Sequence, residues 1–500
     1  MTVVAGGVLE IVNPATLEVV GTVATDDPAV APARVAEAIE AQSRWAERTP
    51  AERAAALRKL SRLILARVDD IAATVMAETA KPRVEAYTTE LFPALDSLAW
   101  LARNAPRLLA PERVRYTQPH LLHKRARMIY EPLGVVAVIA PWNFPFAIPF
   151  TQAAFAVAAG NAVVLKPSEL TPLSGALVGS LFEEVGAPVT VLQGAGDVGA
   201  ALVESPGIAK VVFTGSAEVG REVAAAAGAR LVPVTLELGG KDPMLVLDDA
   251  DLPRAVSGAL WGSYLNCGQV CSGVERIYVE GALFDPFVEE LARRTHELEL
   301  GPLISEEQRT RVEGLVADAI ARGARVVAGG SAPDRRGWFY EPTVLADVPT
   351  DARIQREETF GPVVTVQRVA DERAAIAAAN EGSFGLGASV WTRDRRRAAA
   401  VAPKLRAGTV WHNDHAYTYA TAQASWGGRG ESGFGRTHSK HGLYDLTAVK
   451  LVDRDSGRFN VPWWFPYDDG ESFRGALHAF YGRAYWRERR ALLRLMRRYR

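Results

Sequence analysis

Both cysteines of the chain fall in one stretch of six residues, NCGQVC, at positions 266–271. Thiols placed this way can hold a metal, form a redox disulfide, or supply a nucleophile. A structural zinc site usually takes four ligands, often two C-x-x-C pairs or Cys with His. Cys267 and Cys271 are four apart, there is no third cysteine, and no His lies within forty residues on the N-terminal side. No metal centre is therefore expected. A disulfide across so short a loop would be strained. The plain alternative is an inert buried thiol, since free cysteine often packs as a small hydrophobe.

The nucleophile reading needs partners. A thiol must lose its proton, and its adduct needs donors for an oxyanion. ELGGK places Glu237 at the end of an apolar run, followed by two glycines. A carboxyl in an apolar setting has a raised pKa and can act as a base near neutral pH. PWNFP holds Asn143 between two prolines, a stiff setting for an amide donor. Taken singly, Glu237 reads equally as a surface acid and Asn143 as a turn residue. Together they form a set suited to acyl transfer.

Two glycine motifs could cradle a phosphate. GAGDVG (194–199) matches the dinucleotide pattern, but no acidic residue stands at a strand end about twenty positions on. It reads as a plain strand-to-helix turn. GSAEVG (215–220) is the better anion site: Gly215 allows a tight turn and Ser216 can cap a helix.

These residues must be positioned by the surrounding elements. Residues 28–110 carry apolar residues at helical spacing. VRYTQPH and KRARMIYEP read as two strands around a turn. From LGVVAVIAP onward, strands and helices alternate through NAVVLKPSE, APVTVLQG, IAKVVFTGS and RLVPVTLELGG. This βαβ series implies a doubly wound parallel sheet with ligands at the carboxyl ends of its strands, where the motifs are expected to lie. A second α/β series runs from about 241 to 430. FPFAIPFTQAAFAVAAG (144–160) is broken by prolines and polar residues, so it reads as a buried helix rather than a membrane span.

The 500-residue chain has the length of about two to four domains. It is 48% hydrophobic and 23% charged, an ordinary globular balance. A net charge of −1 gives no global pull toward nucleic acid. Two cysteines argue against a disulfide scaffold and for a reducing, cytoplasmic setting. The N-terminus lacks the pattern of a secretory signal. After VPWWFPYDD (461–469), the tail carries nine arginines from Arg474 to Arg500 with apolar residues between them. It is expected as a basic amphipathic helix, either packed on a partner subunit or peripheral to an anionic membrane through residues 470–500.

PWNFP, LKPSE, FTGS with the later Gly220, LELGGK, GQVC and EETFGP occur in this order, followed by GTVWHN and GGRGESGFGR. Together they resemble the aldehyde dehydrogenase superfamily, over about residues 10–455. The resemblance implies an α/β fold of two doubly wound Rossmann-like domains plus a small β oligomerisation arm. It places an NAD-binding domain at 1–112 and 133–238 and a catalytic domain at 239–430. The arm falls at 113–132 and 431–459, with a tail at 460–500. It implies a homodimer or homotetramer in which a hairpin of one subunit meets a late strand of another.

By the same resemblance Cys271 is the nucleophile, Asn143 and the Cys271 amide hold the oxyanion, and Glu237 activates the water that releases the acid. Lys166 and Glu169 face the adenosine ribose, which favours NAD, with NADP as the alternative. Gly215, Ser216 and Gly220 belong to the pyrophosphate region, Trp142 and Leu238 to the nucleotide cleft, and Glu358 and Phe360 to the nicotinamide. Cys267 is either neutral or a reversible partner of Cys271 under oxidation. The substrate is an aldehyde, sketched as aliphatic or aromatic and of medium size. Succinate semialdehyde would require a cationic clamp that the sequence does not reveal. His412, Asp414, His415, Tyr417 and Tyr419 fall where the family's pocket residues lie, and Ser425 and Trp426 replace a usual proline. The rival readings are a catalytically silent homologue and a CoA-acylating enzyme; Glu237 argues against the latter.

Overall fold

The computed structural model describes residues 4, 5, 7–118, 121, 123–457, 464, 465 and 470–497. They divide into two units, one of residues 1–109 and 131–448, the other of residues 110–130 and 449–500.

In the first unit, strands β1 (Val4–Ala5), β2 (Val8–Val12) and β3 (Val19–Ala24) pair antiparallel. Helices follow through residue 108, and the second unit then begins with β4 (Glu112–Val114) and β5 (Arg125–Pro132). The βαβ series comes next: β6 (Val135–Ile139), β7 (Ala162–Lys166), β8 (Val189–Val191), β9 (Ile208–Thr214) and β10 (Val234–Glu237). Every residue of β6 and β7 is buried, as strands covered by helices on both faces require. The helix Ala147–Ala159 joining them is buried along its whole length and ends at Gly160, whose φ of 99° suits glycine. Among the described residues no helix is long and apolar enough to cross a membrane.

The sheet order is β10-β9-β6-β7-β8, all parallel. Strand order reverses at β6, so the crevice between the carboxyl ends of β6 and β9 is the natural ligand position. PWNFP leaves β6 there, and Gly215 leaves β9.

A second sheet is ordered β13-β14-β15-β12-β11-β16-β17. Its strands are β11 (Asp242–Val246), β12 (Val274–Glu280), β13 (Arg325–Ala328), β14 (Thr343–Ala346), β15 (Val363–Val369), β16 (Gly387–Trp391) and β17 (Thr409–His412). Only β13 runs antiparallel. Residues 238–241 alone join β10 to β11, which brings the carboxyl end of the first sheet to the amino end of the second. This corrects one expectation. Asn143, Lys166, Gly215 and Glu237 lie at or just beyond carboxyl ends, but Cys271, Glu358 and Phe360 precede β12 and β15, at amino ends.

The arm boundary is also corrected. β18 (Gly433–Phe434) pairs antiparallel with β10, opposing Gly433 to Glu237, and residues 431–448 belong to the first unit. In the second unit, β19 (Thr447–Arg454) lies beside β5 in the order β19-β5-β4. The hairpin and the late strand thus pair within one chain. The expected single tail helix is instead two, Glu471–Phe480 and Arg489–Arg497. The break follows Gly482 and Arg483, the latter at φ 54°, and Gly475 lets the two helices meet at Ala491. Most of 461–469 lies outside the described residues.

Candidate active site

The NCGQVC loop is built from an unusual backbone. Asn266, Cys267 and Gly268 have φ of 52°, 58° and 70° in succession. Only glycine fits the third position, because a Cβ there would collide with the Gly361 carbonyl. Side chains lock the turn. Gln269 donates to the carbonyls of Asn266 at 3.0 Å and Pro302 at 3.4 Å, and accepts from Ile304 N at 2.9 Å. Gly268→Ala is therefore expected to lower the melting temperature and activity together, with a strain on the order of 1–3 kcal/mol; unchanged melting and turnover would contradict this.

The turn sends the two thiols to different places. Cys267 is 3% exposed and packs in a core cluster with Leu303, Val312, Leu345 and Val363. Cys271 lines a cavity of about 180 Å³ walled by Phe144, Trp261, Tyr417 and Tyr419. Burial pushes the Cys271 thiol well above its usual pKa, and the charges of Glu237, Asp242 and Glu358 push it further.

Glu237 ends β10 at 5% exposure. Thr437 Oγ1 donates to its Oε1 at 3.3 Å, while Oε2 has no hydrogen-bond partner among the described residues. Burial raises its pKa to about 8; the Thr437 hydrogen bond and the Arg436 charge offset this only in part. Asn143 is also buried and donates through Nδ2 to the Gln269 carbonyl at 3.1 Å, which ties it to the cysteine loop. Its second amide hydrogen remains for another acceptor.

Behind Asn143 is a buried ion pair that spacing did not reveal. Lys81 Nζ lies 2.6 Å from Glu90 Oε1 and donates to the Asn143 carbonyl at 2.9 Å. Glu90 Oε2 accepts from the amides of Phe146 and Ala147, at the start of the helix after PWNFP. Glu90 sits in a π-helical turn, Ala86–Leu91, the kind of irregularity that gathers at functional sites. The same turn supplies Thr88 and Thr89 to the cavity.

EETFGP is held in a similar way. Glu275 of β12 pairs with Lys241 and accepts from the amides of Thr359 and Phe360. Glu358 Oε1 accepts from Gly240 N at 2.9 Å, and a Cβ on Gly239 would fill the space of that carboxylate. Burial, then the charge of Glu275, raises Glu358 to about 8. Phe360 meets Trp142 edge to face at 5.4 Å.

The other residues expected at the nucleotide lie on or just beyond the strands of the first sheet. Lys166 pairs with Glu169 at 3.1 Å. Ser216 caps the helix Ala217–Ala229 by accepting from Val219 N, and Gly220 leaves room for Leu238. Gly215 cannot carry a side chain because a Cβ would press on the Phe213 ring. A bare turn, a capped helix and a buried lysine paired with a partly exposed glutamate suit the phosphates and ribose of a dinucleotide. Of the late polar and aromatic residues, Tyr417 and Tyr419 reach the cavity. His415 instead bonds the Ser272 carbonyl at 2.7 Å beneath the cysteine loop, and His412 bonds the Thr392 carbonyl.

Comparisons with known proteins identify the family. The aldehyde dehydrogenase family model matches residues 4–452. A betaine aldehyde dehydrogenase of Cereibacter sphaeroides is 38% identical over 471 residues, spanning 92% of this chain and 96% of its own. The crystal structure of a Staphylococcus aureus betaine aldehyde dehydrogenase with NAD+ superposes with a TM-score of 0.87 at 35% identity, covering 92% of this chain and 94% of that one. An Escherichia coli NADP-dependent enzyme gives a TM-score of 0.86 at 37% identity, covering 90% and 95%. The chain belongs to the aldehyde dehydrogenase family and uses a cysteine to oxidise an aldehyde to the acid, with reduction of NAD(P).

Proposed function

We propose that Cys271 is the nucleophile of this reaction and that the product is a free acid. The supporting observation is the contrast between the two thiols: Cys271 lines the aromatic cavity near Glu237, while Cys267 is packed in a core cluster. The Cys271 thiol gives its proton to the Glu237 carboxylate as its sulfur adds to the aldehyde carbon, and the oxyanion is held by Asn143 Nδ2 and the Cys271 amide. NAD, when bound, would supply the hydride acceptor, leaving a thioester on Cys271. Glu237, once more the carboxylate, accepts a proton from the water that attacks this thioester, and the proton passes to the Cys271 sulfur as the carbon–sulfur bond breaks and the acid leaves. The presence of this base favours hydrolysis over transfer to CoA.

The sign of the pH dependence follows. The working form of Glu237 is the carboxylate, and its pKa is raised to about 8. Acid release is therefore lost as pH falls through that value. Where acid release limits turnover, kcat should fall about tenfold per unit below pH 8. Glu237→Gln should remove this limb from the profile; a limb that persists would assign it to another group.

For the cofactor, Glu169 beside Lys166 would accept from the ribose hydroxyls and repel a 2′-phosphate, so NAD is preferred to NADP. Ser216 and Gly215, with Gly220 behind them, would face the pyrophosphate; Trp142 and Leu238 would line the cleft; Glu358 and Phe360 would orient the nicotinamide end. We assign the nucleotide to the sheet of β6–β10 with its covering helices, and the nucleophile to the sheet of β11–β17.

The substrate carries an apolar or quaternary-ammonium end. Among the described residues no Lys, Arg or His lines the cavity, while four aromatic rings do. Aromatic faces attract quaternary ammonium groups and pack well against apolar chains; a carboxylate would find no counter-ion. NADH formation with betaine aldehyde, hexanal, benzaldehyde and succinate semialdehyde tests this. The first three should outperform the semialdehyde, and a preference for the semialdehyde would overturn the reading.

The enzyme is proposed to be a cytoplasmic homodimer or homotetramer. Val449, Leu451 and Val452 stand 46–59% exposed on β19, an edge strand of its sheet. A monomeric mass by sedimentation would contradict this. We assign the tail helices to the same assembly rather than to a membrane.

A further inference from the structure

On one side of Glu237 lies the cysteine; on another lies a second, smaller cavity that the reaction as described does not use. It measures about 20 Å³, and its lining includes Thr151, Gln152, Thr235, Thr437, His438 and Asp445. That volume is on the order of one water molecule. Three buried polar atoms of these residues have no hydrogen-bond partner among the described residues: Thr151 Oγ1, Gln152 Oε1 and His438 Nε2. A polar site with two to four unsatisfied groups is the kind that holds an internal water.

This cavity connects to Glu237 through side chains. His438 is 2% exposed, and its Nδ1 lies 3.2 Å from Thr437 Oγ1. The same hydroxyl lies 3.3 Å from Glu237 Oε1. Tyr419 and Phe155 meet the imidazole edge to face and fix its plane. On the far side, Asp445 accepts from Thr235 Oγ1 at 2.6 Å and pairs with Lys210 at 2.8 Å. The Asp445 side chain is 35% exposed, so this end of the cavity meets solvent.

We propose that the small cavity binds a water and that Thr437, His438 and this water form a proton exit from Glu237. The inference rests on the assignment of Glu237 as the base. Glu237 takes up the Cys271 thiol proton when the sulfur adds to the aldehyde, and it must lose that proton before it can activate the water. In the poised arrangement, protonated Glu237 donates to Thr437 Oγ1, Thr437 donates to His438 Nδ1, and His438 Nε2–H donates to the water. Each proton then moves one step along its hydrogen bond. Glu237 is left as the carboxylate, Thr437 keeps one hydrogen, His438 becomes the Nδ1–H tautomer, and the cavity water gains the proton and passes it to solvent at Asp445. No net charge stays on the imidazole, which suits its burial. Thr437 and His438 never touch the substrate; they are positioning and relay residues.

The test uses the full chain with saturating NAD and a good aldehyde from the panel above. Thr437→Val keeps the shape and removes the hydroxyl. His438→Phe keeps the ring and removes both nitrogens. Each should leave the first-turnover burst of NADH in place and slow steady-state turnover at least tenfold. Each should also change the solvent deuterium isotope effect on kcat. In His438→Ala, added imidazole should restore part of the rate. Glu237→Gln separates the two ideas. If Glu237→Gln still turns over at the normal rate, the assignment of Glu237 as base fails. If Glu237→Gln is slow while Thr437→Val and His438→Phe keep the normal rate and isotope effect, the base stands and the relay is overturned. Loss of the burst in both relay variants would also overturn it, since that outcome marks a disrupted site rather than a blocked exit.

Discussion

Cys271→Ala is expected to abolish NADH formation, a loss of roughly a thousandfold or more, while Cys267→Ala keeps most of the activity. Removing a covalent nucleophile takes away the route through the thioester, and the remaining groups offer little without it. The Cys267 side chain reaches no part of the cavity; it fills a packed cluster beside Leu303 and Val363. Its truncation leaves a small void, and its effect belongs on the melting temperature. The two cysteines stand four residues apart, and the three left-handed residues between Tyr264 and Gln269 separate their fates. Steady-state turnover and thermal melting of both variants check this. A Cys267→Ala enzyme that is folded and inactive would reverse the assignment.

Lys81→Met should be the most damaging change outside the cavity. Lys81 and Glu90 are 2% and 0% exposed in their side chains, so loss of the cation strands a carboxylate in the core. Breaking such a pair costs about 3–5 kcal/mol. The Asn143 carbonyl also loses one of its two donors, the other being Asn266 Nδ2. The melting temperature should drop sharply. Lys81→Met with Glu90→Gln should regain part of the loss, because the glutamine keeps an acceptor for the Phe146 and Ala147 amides without an unpaired charge. In the folded fraction of the double variant, kcat should still fall, while the Kd for NAD stays near normal. A single variant as stable and active as the parent would show that the pair does not hold Asn143.

Motif order in the chain determined the family-like set of Asn143, Glu237, Cys271 and Glu358, and the runs of buried valines determined the parallel strands that carry them. Such features are local: a strand period, a proline on each side of an amide, a glycine where a Cβ cannot fit. The fold decided what lies between them. The four-residue link from β10 to β11 sets carboxyl ends of one sheet against amino ends of the next, so Cys271 and Glu358 lie at the ends opposite to those expected. Lys81 and Thr437 gave no sequence signal, because each acts on a residue many positions away: Asn143 for Lys81 and Glu237 for Thr437. The tail's arginines suggested one amphipathic helix, but charge spacing does not reveal a turn at Arg483 or the close approach of Gly475 to Ala491. Residue type sets which chemistry is available. Only the packing of distant segments sets which thiol is reachable, which carboxyl is dry enough to hold its proton, and where that proton can leave.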